Sequence, residues 1–335
     1  MAARDATKDA TSDAKADASA VGAASFADVF SAIADNVSRV VQGKPEAIEL
    51  ALLCMVAEGH LLIEDVPGVG KTSLAKALAA SIDCRWTRIQ FTPDLLPSDV
   101  MGVTIWNRAT NEFEFRPGAV FANLVLGDEI NRASPKTQAA LLEAMQERQV
   151  TVESHTHVLE APFMVIATQN PVEHEGTYPL PESQLDRFLM RLSLGYPARD
   201  AELEILDTHA AEVPIDELAP VATAKEIVAM SAQATRIHVA PALKSYLVDL
   251  AETTRRHPAL ALGMSPRATL SLQRVARARA AASGRDFVVP DDVKALAEAV
   301  LAHRLVLTPE ASMQGVDARD VVDDVLGHVP VPQGK

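Results

Sequence analysis

Apolar runs just long enough for buried strands punctuate residues 61–194, and each is followed by polar residues. Leu61–Glu64, Leu124–Asp128 and Phe163–Thr168 are such runs, and Trp86–Gln90 and Leu189–Leu194 are expected as further strands. Continuous apolarity, rather than strict alternation, marks strands covered on both faces. Helical stretches lie between them, from Thr72 to Ile82 and from Ser134 and Pro135 onward, a cap and a first-turn residue. This alternation predicts a parallel sheet with right-handed crossovers. Two segments break the rhythm. Val103–Trp106, a polar turn Asn107–Asn111 and Glu112–Phe115 predict a β-hairpin within Val100–Phe121. Gln149–Leu159, with alternating valines, predicts a second.

Upstream, Phe26, Val29, Phe30, Ile33 and Val37 form one helical stripe, and Pro45 opens a helix to Glu58. From Ala198 onward no strand is predicted. Ala201–Ala210, Ala224–Gln233, Ala240–Arg255, Arg267–Ala282 and Asp291–Leu301 read as helices. In the last, Val293, Leu296, Ala297, Val300 and Leu301 share a face. Residues 1–24 carry almost no large apolar side chains and predict a flexible tail. The expected organisation is a tail (1–24), an α/β core (25–197) and a small α-helical domain with a C-terminal extension (198–335).

Composition narrows the class. The chain has 335 residues, 48% of them hydrophobic, enough for a sizeable core. No apolar run is long enough for a membrane helix, and the N-terminus lacks a signal-peptide core. Cys54 and Cys84 show no metal-ligand spacing, and the expectation is reduced thiols in a cytoplasmic protein. A net charge of −14 argues against tight non-specific nucleic-acid binding.

The candidate chemistry sits at the strand ends. Val66-Pro67-Gly68-Val69-Gly70-Lys71-Thr72-Ser73 follows the first strand and opens a helix. It matches the phosphate-loop pattern except that Asp65 stands at the first glycine. Gly68 and Gly70 let backbone N–H groups point at phosphate oxygens, Lys71 reaches the terminal phosphates, and Thr72 holds Mg²⁺. Asp128 ends a buried strand, where a carboxylate needs a partner. Mg²⁺ shared with Thr72 supplies one, and Glu129 is placed to deprotonate water. The alternative for Asp128 and Glu129 is an acidic pair leading into the helix at Ser134. Asn170 ends the fourth strand as a polar sensor or as a turn residue before Pro171. Arg187 is a functional cation or an ion-pair partner of Asp186. Arg267 is expected at the first position of a helix, where a cation opposes the dipole, which favours an anion-binding role. Asn131 and Arg132 either line an interface or lead into a helix. His155 and His157 face one side of the second hairpin, as a metal pair or, with no third ligand in view, a solvated face. The arginines around Arg255, Arg274, Arg277 and Arg279 read as partners for acids rather than a nucleic-acid site.

Taken together, the phosphate loop, Gly127-Asp128-Glu129-Ile-Asn131-Arg132, Ala167-Thr-Gln-Asn170-Pro, Leu185-Asp186-Arg187-Phe and Ser265-Pro266-Arg267 resemble the MoxR family of AAA+ ATPases. The resemblance runs from about Phe26 to about Pro332. It implies a parallel five-stranded sheet of order 5-1-4-3-2, helices on both faces and an α-helical lid. It implies rings, usually hexamers, with ATP at each subunit interface. It implies that Asn170 is sensor 1, that Arg187 is an arginine finger acting on the neighbour, and that Arg267 is sensor 2 acting in its own subunit. Val41 and Gly43 fall where adenine is contacted. The hairpins match the inserts of a clade that includes magnesium chelatases and MCM helicases. The implied function is ATP-driven assembly or activation of protein complexes, with a von Willebrand factor A domain protein as candidate partner. The competing readings are a DNA-directed motor and a slow, nucleotide-gated scaffold.

Overall fold

Period-two side-chain alternation decides which residues face which layer. In the computed structural model, which describes residues 22–171, 176–196 and 218–332 together with Arg199, Glu202 and Ile215, the chain begins with α1 (Gly22–Ser38) and α2 (Pro45–Val56). The core follows with β1 (Leu61–Glu64), α3 (Lys71–Ser81), β2 (Trp86–Gln90) and short α4 (Pro97–Met101). Hairpin strands β3 (Gly102–Asn107) and β4 (Glu112–Pro117) precede β5 (Leu124–Asp128) and α5 (Pro135–Glu147). Hairpin strands β6 (Gln149–Val152) and β7 (His155–Val158) precede β8 (Met164–Gln169), α6 (Glu182–Leu185) and β9 (Met190–Leu192).

The sheet order is β2-β5-β8-β1-β9, with every neighbouring pair parallel. Counting only these five strands, that is the expected 5-1-4-3-2. Leu61, Ile63, Leu124, Leu126, Met164 and Ile166 face one layer, and Leu62, Val125, Val165 and Ala167 face the other. Both faces of the central strands β1, β5 and β8 are dry, which explains their unbroken apolar runs. Both hairpins form as expected, with Trp106 opposite Phe113 in the first and Val150 opposite His157 in the second.

Beyond the sheet come α7 (Ala224–Ala234), α8 (Pro241–Arg256), β10 (Leu260–Leu262), α9 (Pro266–Ala282) and α10 (Pro290–Leu301). Then follow β11 (Val306–Leu307), α11 (Pro309–Met313) and α12 (Ala318–His328). These helices do not pack apart from the sheet. Leu272, Val275, Leu296 and Val300 share one apolar cluster with α1, α2 and one sheet face. Polar clamps reinforce the contact: Glu58 takes both Arg148 (2.9 Å) and Arg274, and Arg279 pairs with Glu49 at 2.9 Å. Burial works to raise the Glu58 carboxyl, but the two guanidiniums outweigh it and hold its pKa below the usual range. Arg274 and Arg279 therefore find carboxylates within the chain, while Arg255 donates to the Met264 carbonyl.

Three expectations need correction. Strands do not end at Ala198, because β10 and β11 pair antiparallel. Two strands of three and two residues are too short to carry a readable period. The tail does not extend to Ala24, because α1 starts at Gly22. Alanine-rich polar sequence supports the first turn of a helix whose apolar stripe begins later. Pro266 takes the first position of α9 after the Ser265 cap, so Arg267 is second. The expected helix Ala201–Ala210, and residues 1–21, lie outside the described residues.

Candidate active site

Strand direction sorts the candidate residues onto two ends of the sheet. At the C-terminal end, β1 runs into the phosphate loop, β5 ends on Asp128, and β8 leads to Asn170. β8 lies between β1 and β5, so the three groups emerge on adjacent strands, each roughly 4.8 Å from the next.

Gly68 and Gly70 sit at φ 86° and 93°, in the left-handed region that side chains rarely enter. Gly70 is the cap residue of α3, so the first amides of that helix point into the loop. Pro67 and Gly68 are exposed, and Val69, Lys71, Thr72 and Ser73 are half-buried, which leaves the loop accessible. Lys71 Nζ donates to the Asp65 carbonyl at 2.7 Å. The ammonium thus lies against the entrance of its own loop. Asp65 itself explains why glycine is not needed at the loop entrance. Its carboxylate accepts from the N–H of Val66 (2.9 Å) and Gly195 (2.6 Å) and from the Ser193 hydroxyl (3.0 Å). Burial alone would raise its pKa, and these donors bring it below the usual value. The carboxylate therefore staples the loop to the segment after β9. Sequence reasoning missed this role because residues 65 and 193–195 meet only through the β1–β9 pairing.

Asp128 and Glu129 are held in different ways. Asp128 Oδ1 accepts from Thr168 Oγ1 at 2.6 Å and Oδ2 from Arg88 at 2.6 Å. Glu129 is a non-glycine residue at φ 58°, ψ 51°, a conformation costing on the order of 1 kcal/mol. Its N–H donates to Thr168 Oγ1 at 2.9 Å, and its carboxylate takes Gln90 at 2.8 Å and Arg132 at 3.0 Å. Arg88, Gln90 and Thr168 join the site through register. Gln90 pairs with Asp128, and β8 pairs with β5 alongside. No local pattern announces them. Asn170 is buried at the end of β8. Asn131 is buried in a short 3-10 turn, and Arg132 leads from it toward Glu129.

The donor set suits Mg²⁺, which prefers oxygen ligands and keeps part of its water shell. Thr72 supplies a hydroxyl and Asp128 a carboxylate, both on the loop end of the sheet. Among the described residues no group of three or more His, Cys, Asp and Glu is arranged to hold a metal alone. His155 is exposed and His157 half-buried on the second hairpin. His157 stacks on Phe115 of the other hairpin, ring centroids 3.9 Å apart. Val41 is buried, and Gly43 lines a cavity of about 490 Å³ between α2, the end of β9 and α10. That cavity adjoins the segment Asp65 staples. Both cysteines are shielded: burial pushes the Cys54 thiol far up and the Cys84 thiol up to about 12.

Arg187 and Arg267 occupy the opposite end. With Arg148, Arg274 and Arg304 they line a cavity of about 410 Å³ that contains two carboxylates, Glu58 and Asp186. Gly59, His60 and Leu189, which precede β1 and β9, form its wall. No phosphate-loop residue lines it. The expectation that Arg267 serves its own subunit's phosphates is therefore corrected: Arg267 Nε faces Asp186 Oδ2 at 3.9 Å. β1 alone spans roughly 10 Å between the two ends. Arg187 does not use Asp186 as an ion-pair partner among the described contacts; Arg267 and Arg304 do.

The chain is similar to known proteins over most of its length. Residues 60–190 match the ATPase family associated with various cellular activities (AAA), and residues 252–325 match the AAA lid domain. Chaperone MoxR1 of Mycobacterium tuberculosis is 40% identical over 89% of this chain and 81% of its own length. Protein MoxR of Methylorubrum extorquens is 31% identical over 91% and 96%. YeaC of Bacillus subtilis, whose role is uncharacterised, is 49% identical over 89% and 93%. The crystal structure of a candidate ATPase from Cytophaga hutchinsonii superposes with a TM-score of 0.89 at 36% identity, covering 95% of this chain and 99% of that one.

Proposed function

Because this chain belongs to the MoxR family of AAA+ ATPases, we propose that it hydrolyses ATP in a homo-oligomeric ring and uses the cycle to assemble or activate protein complexes. The supporting observation is the division of the site. The phosphate loop, Asp128, Glu129 and Asn170 lie at one end of the sheet, and Arg187 and Arg267 lie at the other. One subunit then carries the incoming half of one site and the completing half of the next.

In this reading Lys71 and the loop amides hold the triphosphate. Val41 and Gly43 border the base, and the cavity between α2 and α10 receives it. Thr72 and Asp128 would hold Mg²⁺, which would neutralise charge on the phosphates. Glu129 takes the proton of the attacking water once it leaves Gln90 and Arg132. Asn170 orients that water. Arg187 and Arg267 of the adjoining subunit stabilise charge on the transferring phosphoryl group.

The test is complementation in mixed rings. Arg187→Ala should lose roughly 10³-fold or more in turnover while keeping ATP affinity. Lys71→Ala should lose binding. A mixture should recover part of the rate, because an intact loop then meets an intact Arg187. No recovery in rings shown to contain both variants would overturn action across the interface. We propose a von Willebrand factor A domain protein as partner and a ring of six as the assembly. The DNA-motor reading predicts instead that DNA, and no protein, stimulates turnover.

A further inference from the structure

The turn that carries Arg187 is held from the lid by a buried cation. The Arg304 side chain is 3% exposed. Its Nη2 donates to the Phe188 carbonyl at 2.8 Å and approaches the Asp186 carbonyl at 3.4 Å. Its Nε lies 3.3 Å from Asp186 Oδ1. His303 Nε2 lies 3.1 Å from the same Phe188 carbonyl. From the other side, Arg267 faces the second oxygen of Asp186 at 3.9 Å. Two carbonyls that bracket Arg187 are thus fixed by residues just after α10.

Burying a guanidinium is costly, and a well-packed apolar side chain would often stabilise the fold as well or better. Here desolvation lowers the Arg304 pKa to about 10, which still leaves it charged at neutral pH. Its Nη1 is buried without a hydrogen-bond partner. What the arginine adds over an apolar residue is direction: a planar fork on two backbone oxygens and one carboxylate.

We propose that Arg304 is the positioning residue that ties the lid to the Arg187 turn, so that Arg187 and Arg267 are presented to the neighbouring subunit only when the lid is seated. The proposal rests on the reading that Arg187 acts across the interface. It adds that the lid of one subunit sets the activity of the next subunit's nucleotide site.

The experiment measures kcat and KM for ATP with Arg304→Met and Arg304→Lys. Arg304→Met should leave KM nearly unchanged and lower kcat by roughly 10²-fold, the effect of a misplacement of about 1 Å. Arg304→Lys keeps the charge and should restore part of kcat. Mixed with Lys71→Ala subunits, Arg304→Met should regain turnover, because its phosphate loop is intact and its neighbour supplies a well-placed Arg187. Mixed with Arg187→Ala subunits it should regain none. A general structural defect would not produce that pattern. Wild-type kcat in Arg304→Met, beside an inactive Arg187→Ala, overturns this proposal alone, as does failure of Arg304→Met to recover with Lys71→Ala where Arg187→Ala recovers with it. Wild-type turnover in Arg187→Ala overturns the underlying reading, and the proposal with it. If Arg304→Met does not fold, Asp186→Asn must give the same mixing pattern, and wild-type kcat there overturns the proposal.

Discussion

Individual residues show how burial sets the chemistry of a side chain. His60 is fully buried where β1, β8 and the end of α5 meet. Its Nδ1 accepts from the Val165 N–H at 3.0 Å and its Nε2 donates to the Met145 carbonyl at 2.9 Å, which defines the neutral tautomer. Desolvation lowers its pKa to about 4, and that of His303 to about 3. Below pH 6.5 the unfolded chain takes up protons at both positions and the folded chain does not. Acidification therefore favours unfolding, and stability is fully present only above about pH 6.5. Between pH 7 and pH 4.5 each histidine should cost roughly 2–3 kcal/mol of stability. Urea unfolding at the two pH values measures this, and an unchanged midpoint would refute the neutral, buried assignment. The carboxylates with lowered pKa, Glu58 and Asp65, lose their contribution only at more acidic pH. None of this is visible in composition. A histidine after Gly59 reads like any other until β8 and α5 close over it.

Elements differ in how openly the sequence announces them. The apolar runs located the three central strands β1, β5 and β8, because a strand buried on both faces writes its position as uninterrupted hydrophobicity, whereas the edge strands β2 and β9 carry Arg88, Gln90 and Arg191. Both hairpins were legible from polar turns between alternating residues. Their surfaces were not. Phe115 packs against Phe121 and stacks on His157, which joins the two hairpins, and is half-buried. Trp106 and Phe113 form an edge-to-face pair, centroids 5.0 Å apart, and remain 49% and 73% exposed. We propose the exposed pair as the surface that meets the protein partner, since large exposed aromatics are the residues that dominate interfaces. Deleting residues 107–111 removes the turn between them. Basal turnover should persist, because the hairpin is outside the phosphate loop, while stimulation by the partner should fall several-fold, roughly 1 kcal/mol of binding. Equal stimulation of the deletion and the parent protein would exclude the tip.

At the scale of the whole molecule, the proposed division of the nucleotide site between two ends of the sheet implies an assembly of more than one subunit. Glu129→Gln keeps the loop and the Asp128 carboxylate and removes the proton acceptor, so it should bind ATP and hardly turn it over. Light scattering with ATP should then report a stable multiple of the 35.8 kDa subunit, expected to be six. A monomer at saturating ATP would contradict the ring. The chain's local pattern determined the strands, the phosphate loop and the acidic pair after β5, because each is written within a few consecutive residues and tied to one backbone geometry. The C-terminal helices were legible from their apolar stripes, but not that they share a core with the sheet. Tertiary structure alone decided that Asp65 staples the loop to residues 193–195, that Arg88 and Gln90 hold the acidic pair, and that Arg267 faces away from its own loop. Those facts depend on strand order, register and the docking of α9 and α10. These bring together residues far apart in the chain, and no local period encodes them.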